Sequence, residues 1–497
     1  VSDRAAAERH INQKIAVSVV FVAAMFMSIM DTTIVNVALP TIGRDFHVAS
    51  TSVSSVSIAF LVSLAVFIPA SGWLGDRFGG KRVLLVAIVL FTVASALCGL
   101  AANIGQLVAF RILQGVGGGM MTPVGMAMLY RAFPPAERVR ASSILTTPTA
   151  LAPATGPVLG GLLVSDLSWR WVFYVNVPIG IAAVLFGAIF LDSVPEDDPG
   201  PFDLRGFLLA GVGLGSLMYG ISEGPEQSWT ATPVLATIAV GVVLLTVLVL
   251  VELVTARPLI DLRLLANKLF RVGTSVILLT TAALLGVLYV ITLYFQDGRG
   301  LSALQAGLST FPEALGVMVG AQLAARLVYP RLGPRRHVLL GNLGLTVFIG
   351  LLATLGADTS LWLARLVLFG MGLSLGQVFV PTQAASFATI SPSDTGRAST
   401  MFNAIRQLGG ALGVAVFTSV IVAVGVTTST HSRPVADLSG YHAAFLTAAG
   451  FCLLSGIAAQ FIRDADAAST MVRRHKGRPV SDVNDEDSSI PLAAIEG

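Results

Sequence analysis

"GWLGDRFGGKR", residues 72–82, decides how this chain is read. Gly75, Gly80 and Lys81 reproduce the opening of a phosphate-binding loop, G-x-x-x-x-G-K, whose next residue is a Ser or Thr that holds magnesium. Here that residue is Arg82, and no strand precedes the stretch, which joins two apolar runs. The nucleotide reading fails, and a repeat takes its place. "RFGGKRVLL" begins at Arg77 and "RLGPRRHVLL" at Arg331. Arg111, in "FRILQGVGGG", follows Arg77 by 34 positions, and Arg365, in "ARLVLFGMG", follows Arg331 by the same 34. Gly156 and Gly410 lie 45 positions beyond those two arginines. Equal spacing at three landmarks reads as two related bundles of helices.

The composition says what surrounds them. Of 497 residues, 54% are hydrophobic and only 12% charged, where a soluble domain carries about 25% charged residues. The chain is therefore expected to be an all-α integral membrane protein. Apolar runs of spanning length fall at 15–37, 50–72, 83–101, 104–128, 140–163, 172–191, 204–222, 231–254, 270–294, 303–326, 337–356, 360–381, 404–427 and 442–462. This gives fourteen transmembrane helices. The first run is too long for the apolar core of a cleaved signal peptide. The repeat then divides the chain into a short N-terminal segment (1–14), a six-helix bundle (15–191), a linking segment with two extra helices (192–258), a second six-helix bundle (259–463) and a polar tail (464–497) expected to be disordered.

Lys and Arg are concentrated in alternate loops, around residues 77–82, 131–140, 257–271, 331–336 and 397, and at both ends of the chain. The other loops hold only Arg44, Arg170, Arg299 and Arg433. Positive charge stays inside, so both termini are placed in the cytoplasm. The acidic loop at 192–203 is the weak member of the inside set, and acids count little in the rule. "VRRHKGR", residues 472–478, reads as one more inside cluster, with contact to anionic lipid as the alternative. Cys98 and Cys452 lie far apart in apolar runs, so no disulfide framework is expected. The net charge of +3 points to no nucleic acid.

Three ionisable side chains well inside these runs stand out as candidates. Asp31 and Arg111 each stand about seven residues from the outer end of their spans, roughly 10 Å deep at 1.5 Å per residue. Opposite charges at equal depth are expected to pair, either as a functional couple or as a static bridge orienting two helices. Gln114 is placed on the same face. Glu313 falls near mid-depth, directly after Pro312, where an unpaired carboxylate can take up a proton. The run "TPTALAPATGPVLGG", residues 147–161, holds Pro148, Pro153 and Pro157. Proline removes a helix hydrogen bond. Gly156 and Gly160 make a small-x-x-x-small face that lets another helix approach closely.

"GWLGDRFGGKR" also resembles, in full, the loop motif of the major facilitator superfamily. "MDTTIVNVALP" (30–40), "FRILQGVGGG" (110–119), "ATGPVLGG" (154–161), "WRWVFYVNVPIG" (169–180), "SALQAGL" and "RQLGGALGVAVF" resemble, in order, further motifs of its fourteen-span drug:proton antiporters. The resemblance implies a major facilitator fold and a proton-coupled efflux antiporter. It would export lipophilic, often cationic drugs or toxic compounds across a bacterial cytoplasmic membrane by alternating access. A dedicated exporter of an endogenous metabolite, antibiotic or lipid is the alternative on the same scaffold. The resemblance assigns proton coupling to Arg111 and protonation or substrate attraction to Asp31; Gln114, from its shared face, and Glu313, from its depth, join them as candidate proton-coupling and substrate residues. It assigns a conformational latch to Asp76, Arg77 and Arg82, and the antiporter motif to Gly156, Pro157, Gly160 and Gly161. Pro330 stands where Asp76 stands in the first loop copy, so the latch is expected in one half only. The partners implied are small-molecule lipophilic substrates, protons and the lipid bilayer, with no nucleotide, cofactor or metal. No enzyme is expected, since neither H-E-x-x-H nor a nucleophile elbow occurs.

Overall fold

A computed structural model describes residues 12–48, 50–193, 200–255, 258–424 and 438–471. The basic tail stretch and Arg433 lie outside these residues. The described residues are helical throughout, without strands. The long helices are α1 (Gln13–Phe46), α2 (Ser50–Phe78), α3 (Gly80–Leu100), α4 (Ile104–Ala132), α5 (Arg138–Asp166), α6 (Asn176–Phe190, led in by Trp171–Tyr174), α7 (Leu204–Gln227) and α8 (Thr232–Val254). They continue with α9 (Lys268–Leu293), α10 (Ala303–Leu323), α11 (Tyr329–Leu352), α12 (Leu361–Ser386), α13 (Thr395–Val424) and α14 (Ser439–Ala459).

Among the described residues, twelve helical stretches are long and apolar enough to cross a membrane, and one of them, Gln305–Leu352, takes in both α10 and α11. Several side chains of helix α5 lie outside the described residues. It carries Arg138, Arg140, Ser142, Ser143 and Thr146, and it is packed between other helices, where lipid does not set its composition. It runs as one helix of 29 residues through all three prolines.

Packing repeats with an offset of eight helices. Helix α1 packs on α4, α5 and α6, and α9 packs on α12, α13 and α14. Helix α4 also packs on α2 and α3, as α12 does on α10 and α11, and α3 meets α6 as α11 meets α14. Glycines set the closest crossings. A side-chain carbon on Gly115 would stand 2.7 Å from the Phe60 carbonyl oxygen, and one on Gly119 2.6 Å from that of Leu64, so α4 lies backbone against backbone on α2. Gly316, Gly320, Gly372 and Gly376 bring α10 and α12 together in the same way. The two groups meet where α5 lies on α10 and α12, and where α13 lies on α2 and α4. Helix α7 packs on α2, α8 and α13. Helix α8 leaves Val242, Val243, Leu250 and Leu253 exposed, an apolar face suited to lipid.

Candidate functional site

Asp31 and Arg111 form an ion pair sealed inside the first group of helices, 0% and 1% exposed. A buried charge persists when hydrogen bonds and a counter-charge compensate it, and both charges here have them. Arg111 Nη1 donates to Asp31 Oδ2 and, at 2.7 Å, to Gln114 Oε1, while Nε donates to the Val56 carbonyl at 3.2 Å. The Phe60 ring lies 4.2 Å from the guanidinium carbon. Asp31 Oδ1 accepts from Gln114 Nε2 at 2.9 Å and from Asn176 Nδ2 at 3.1 Å, and Asn176 also donates to Ser95 Oγ. The structure thus brings the sequence-expected Asp31, Arg111 and Gln114 together. It adds Asn176, which the sequence signalled only as a lone amide in the apolar stretch "YVNVPIG".

Glu313 is elsewhere. It is 6% exposed and lines a narrow, partly open cavity with Thr146 and Pro153 of α5, Leu284 and Leu288 of α9, Val317 of α10, Leu375, Phe379 and Gln383 of α12, and Arg406 of α13. Glu313 makes no ion pair or hydrogen bond among the described residues. Arg406 opens the quoted "RQLGGALGVAVF", yet its charge within an apolar run was not singled out.

The antiporter-motif glycines Gly156 and Gly160 face α1. A side-chain carbon on Gly156 would collide with Thr33 Oγ1 and stand 3.1 Å from the Ile34 amide nitrogen; one on Gly160 would stand 3.2 Å from the Ile34 carbonyl oxygen. The small face therefore grips α1, two residues beyond Asp31, and does not form the contact between the two groups. That contact uses other residues of α5: Val139 packs with Ala321, Ala324, Tyr329, Val380 and Ala384. Gly161 faces open space within 4 Å. The Pro157 side chain lies outside what is described.

Asp76 accepts from Arg131 Nη2 at 2.8 Å. A carbon on Gly396, in the first turn of α13, would be 3.0 Å from Asp76 Oδ1, so the carboxylate rests on that helix N-terminus, where its charge is favoured. Ser71 Oγ lies 3.3 Å from Thr400 Oγ1 beside it. The partner is Arg131 of α4, because its side chain reaches the α2 terminus across the α2–α4 contact. Arg77 and Arg82 are exposed, and neither is the partner recorded for Asp76. Lys81 donates to the Ala188 and Leu191 carbonyls, closing the C-terminal end of α6. In the second loop copy, Asp464, from the chain after α14, accepts from the Arg335 amide at 2.9 Å beside Gly333, whose φ is 72°. Its carboxylate thus serves its own half of the chain.

At the opposite end, Asp45 accepts from Trp169 Nε1 at 2.9 Å and from Arg170 Nη1 at 3.3 Å. The indole bond, with Arg170 beside it, holds this carboxyl below its ordinary range. Asp76→Asn should keep the protein folded but loosen the basic end, since charge at a helix N-terminus is worth about 0.3–1 kcal/mol. Cysteines at Ser71 and Thr400 should then crosslink severalfold more slowly than in the parent; an unchanged rate would leave Asp76 without a latching role.

Twin helix groups around a charged cavity define a multi-pass membrane transporter. The sequence profile of the Major Facilitator Superfamily matches residues 21–414, and the chain belongs to that superfamily. It is 33% identical over 404 residues to the Multidrug resistance protein B homolog of Mycobacterium tuberculosis (strain ATCC 25618 / H37Rv), covering 80% of this chain and 74% of that protein. It is 32% identical over 403 residues to the Tetracenomycin C resistance and export protein of Streptomyces glaucescens, covering 81% and 74%. The human organic anion transporter MFSD10 (TETRAN) superposes with a TM-score of 0.63 at 17% identity, covering 91% of this chain and all of that one; this likeness concerns the fold alone.

Proposed function

We propose that this protein is a proton-coupled efflux antiporter of the fourteen-span drug:proton type. It exports lipophilic, often cationic compounds by alternating access of the 15–191 and 259–463 bundles, in a bacterial plasma membrane with both termini cytoplasmic. All fourteen long helices cross the bilayer in this reading, α7 and α8 forming the inserted pair. The observation that carries it is the separation of two ionisable sites: Asp31, sealed against Arg111, and Glu313, unpaired in the cavity. Asp31 can exchange a proton for its bond to Arg111, and Glu313 can attract a cation and release it on taking a proton. The printed names of the mycobacterial and Streptomyces relatives support export. One charge crossing 100 mV supplies about 2.3 kcal/mol, roughly a fifty-fold concentration ratio, without a nucleotide. The tetracenomycin relative favours a second reading, export of a single antibiotic.

Everted membrane vesicles test this directly. In a panel of cationic, neutral and anionic fluorescent compounds, the exported members should accumulate inside energised vesicles and leak out when a protonophore is added. Accumulation indifferent to the protonophore would overturn proton coupling, and accumulation of only one compound class would favour the dedicated exporter.

A further inference from the structure

The cavity contains more than a carboxylate. Arg406 of α13 lines it alongside Glu313 of α10, and these two charges are not within ion-pairing distance of each other. Among the described residues, the Arg406 guanidinium makes one hydrogen bond, from Nη2 to Asn403 Oδ1 at 3.2 Å. The Gln383 side-chain oxygen, on α12, is buried without a donor. Around these groups the wall is apolar: Leu284, Leu288, Val317, Leu375 and Phe379.

From this arrangement we infer that the cavity selects amphoteric compounds, lipophilic molecules carrying both a protonated amine and an anionic group. The inference rests on the reading of this cavity as the substrate site. A ligand with one positive charge is attracted by Glu313 and repelled by Arg406, and both act through the same weakly screening surroundings. An anion meets the opposite balance. Only a ligand with both charges is favoured at both ends, and it fills the coordination of two buried groups that otherwise lack counter-charges. Gln383 Oε1 then accepts from an N–H or O–H between them. Specificity of this kind is strong because the wrong ligand leaves a buried polar group unpaired. The Asp31 cluster is not part of the cavity wall, so a bound substrate need not displace the Arg111 bond. The cationic preference expected from Glu313 alone is thereby narrowed to cations that also carry an acid.

A matched set of probes decides it: a fluorescent piperazinyl quinolone carboxylic acid, its methyl ester, which is a cation, and its N-acetyl form, which is an anion. Binding to the purified full-length protein is measured by fluorescence anisotropy, and movement in energised everted vesicles alongside. The parent acid should bind about tenfold tighter than either derivative. Arg406→Gln should lose that advantage and bind the ester as well as the parent, and Glu313→Gln should do the same for the N-acetyl form. Each variant gains a ligand, which an unfolded protein cannot do, and Arg406→Lys should retain the parent's preference. Equal binding of ester and parent by the unmodified protein would overturn the inference even if every variant failed to fold. Selective binding of the parent without proton-driven movement would instead overturn the antiporter reading and leave the specificity standing.

Discussion

Arg111→Ala is expected to abolish proton-driven efflux and to lower stability by about 3–5 kcal/mol, the typical loss when one partner of a buried ion pair is removed. The reason is the completeness of the cluster. With Arg111 gone, Asp31 keeps only the amide donors of Gln114 and Asn176, and Gln114 Oε1 loses its guanidinium partner. Asp31→Asn should destabilise less, because the Asn oxygen still accepts from those amides, yet it should be equally inactive, since no proton can be exchanged at residue 31. Thermal unfolding in detergent and substrate-induced proton release from everted vesicles separate the two effects. Normal proton exchange in either variant would remove the pair from the coupling mechanism and leave it as a static bridge.

The second large effect concerns α5. Gly156→Leu should stop transport while the protein remains in the membrane, and Gly161→Leu, five residues on, should transport normally. At Gly156 the added carbon meets Thr33 and the α1 backbone, which cannot rotate away. Overpacking of this kind costs about 1–3 kcal/mol and displaces α1 close to Asp31. At Gly161 there is room. Immunoblots of membrane fractions control for insertion. Equal activity of the two variants would reduce the glycine face to spacing without function.

The helical class, the repeat and the intramembrane charges were legible in the sequence because each leaves a local or periodic trace. The spacing from Arg77 to Arg111 to Gly156 could be counted, and Asp31 and Arg111 stood out against apolar neighbours. What the sequence withheld was pairing between distant helices. Asn176 lies 145 positions from Asp31, and its role follows only from the approach of α1 to α6. Arg131 was readable as an orienting charge but not as the partner of Asp76, which depends on how α2 and α4 cross. Arg406 was overlooked because "RQLGGALGVAVF" was read for its glycines. The partner of the Gly156 face was not legible, because a small-residue stripe announces close approach without naming the helix that approaches.

The physical separation of the Asp31 cluster from the Glu313 cavity bears on how such a protein diversifies. Substitutions at Leu284, Val317, Phe379 or Gln383 alter the shape and polarity offered to cargo and touch none of the groups around Arg111. Selection imposed by a new toxic compound can therefore act on one set of side chains while the engine is inherited intact. Cavity variants should form a mutationally tolerant set and the Asp31 neighbourhood an intolerant one.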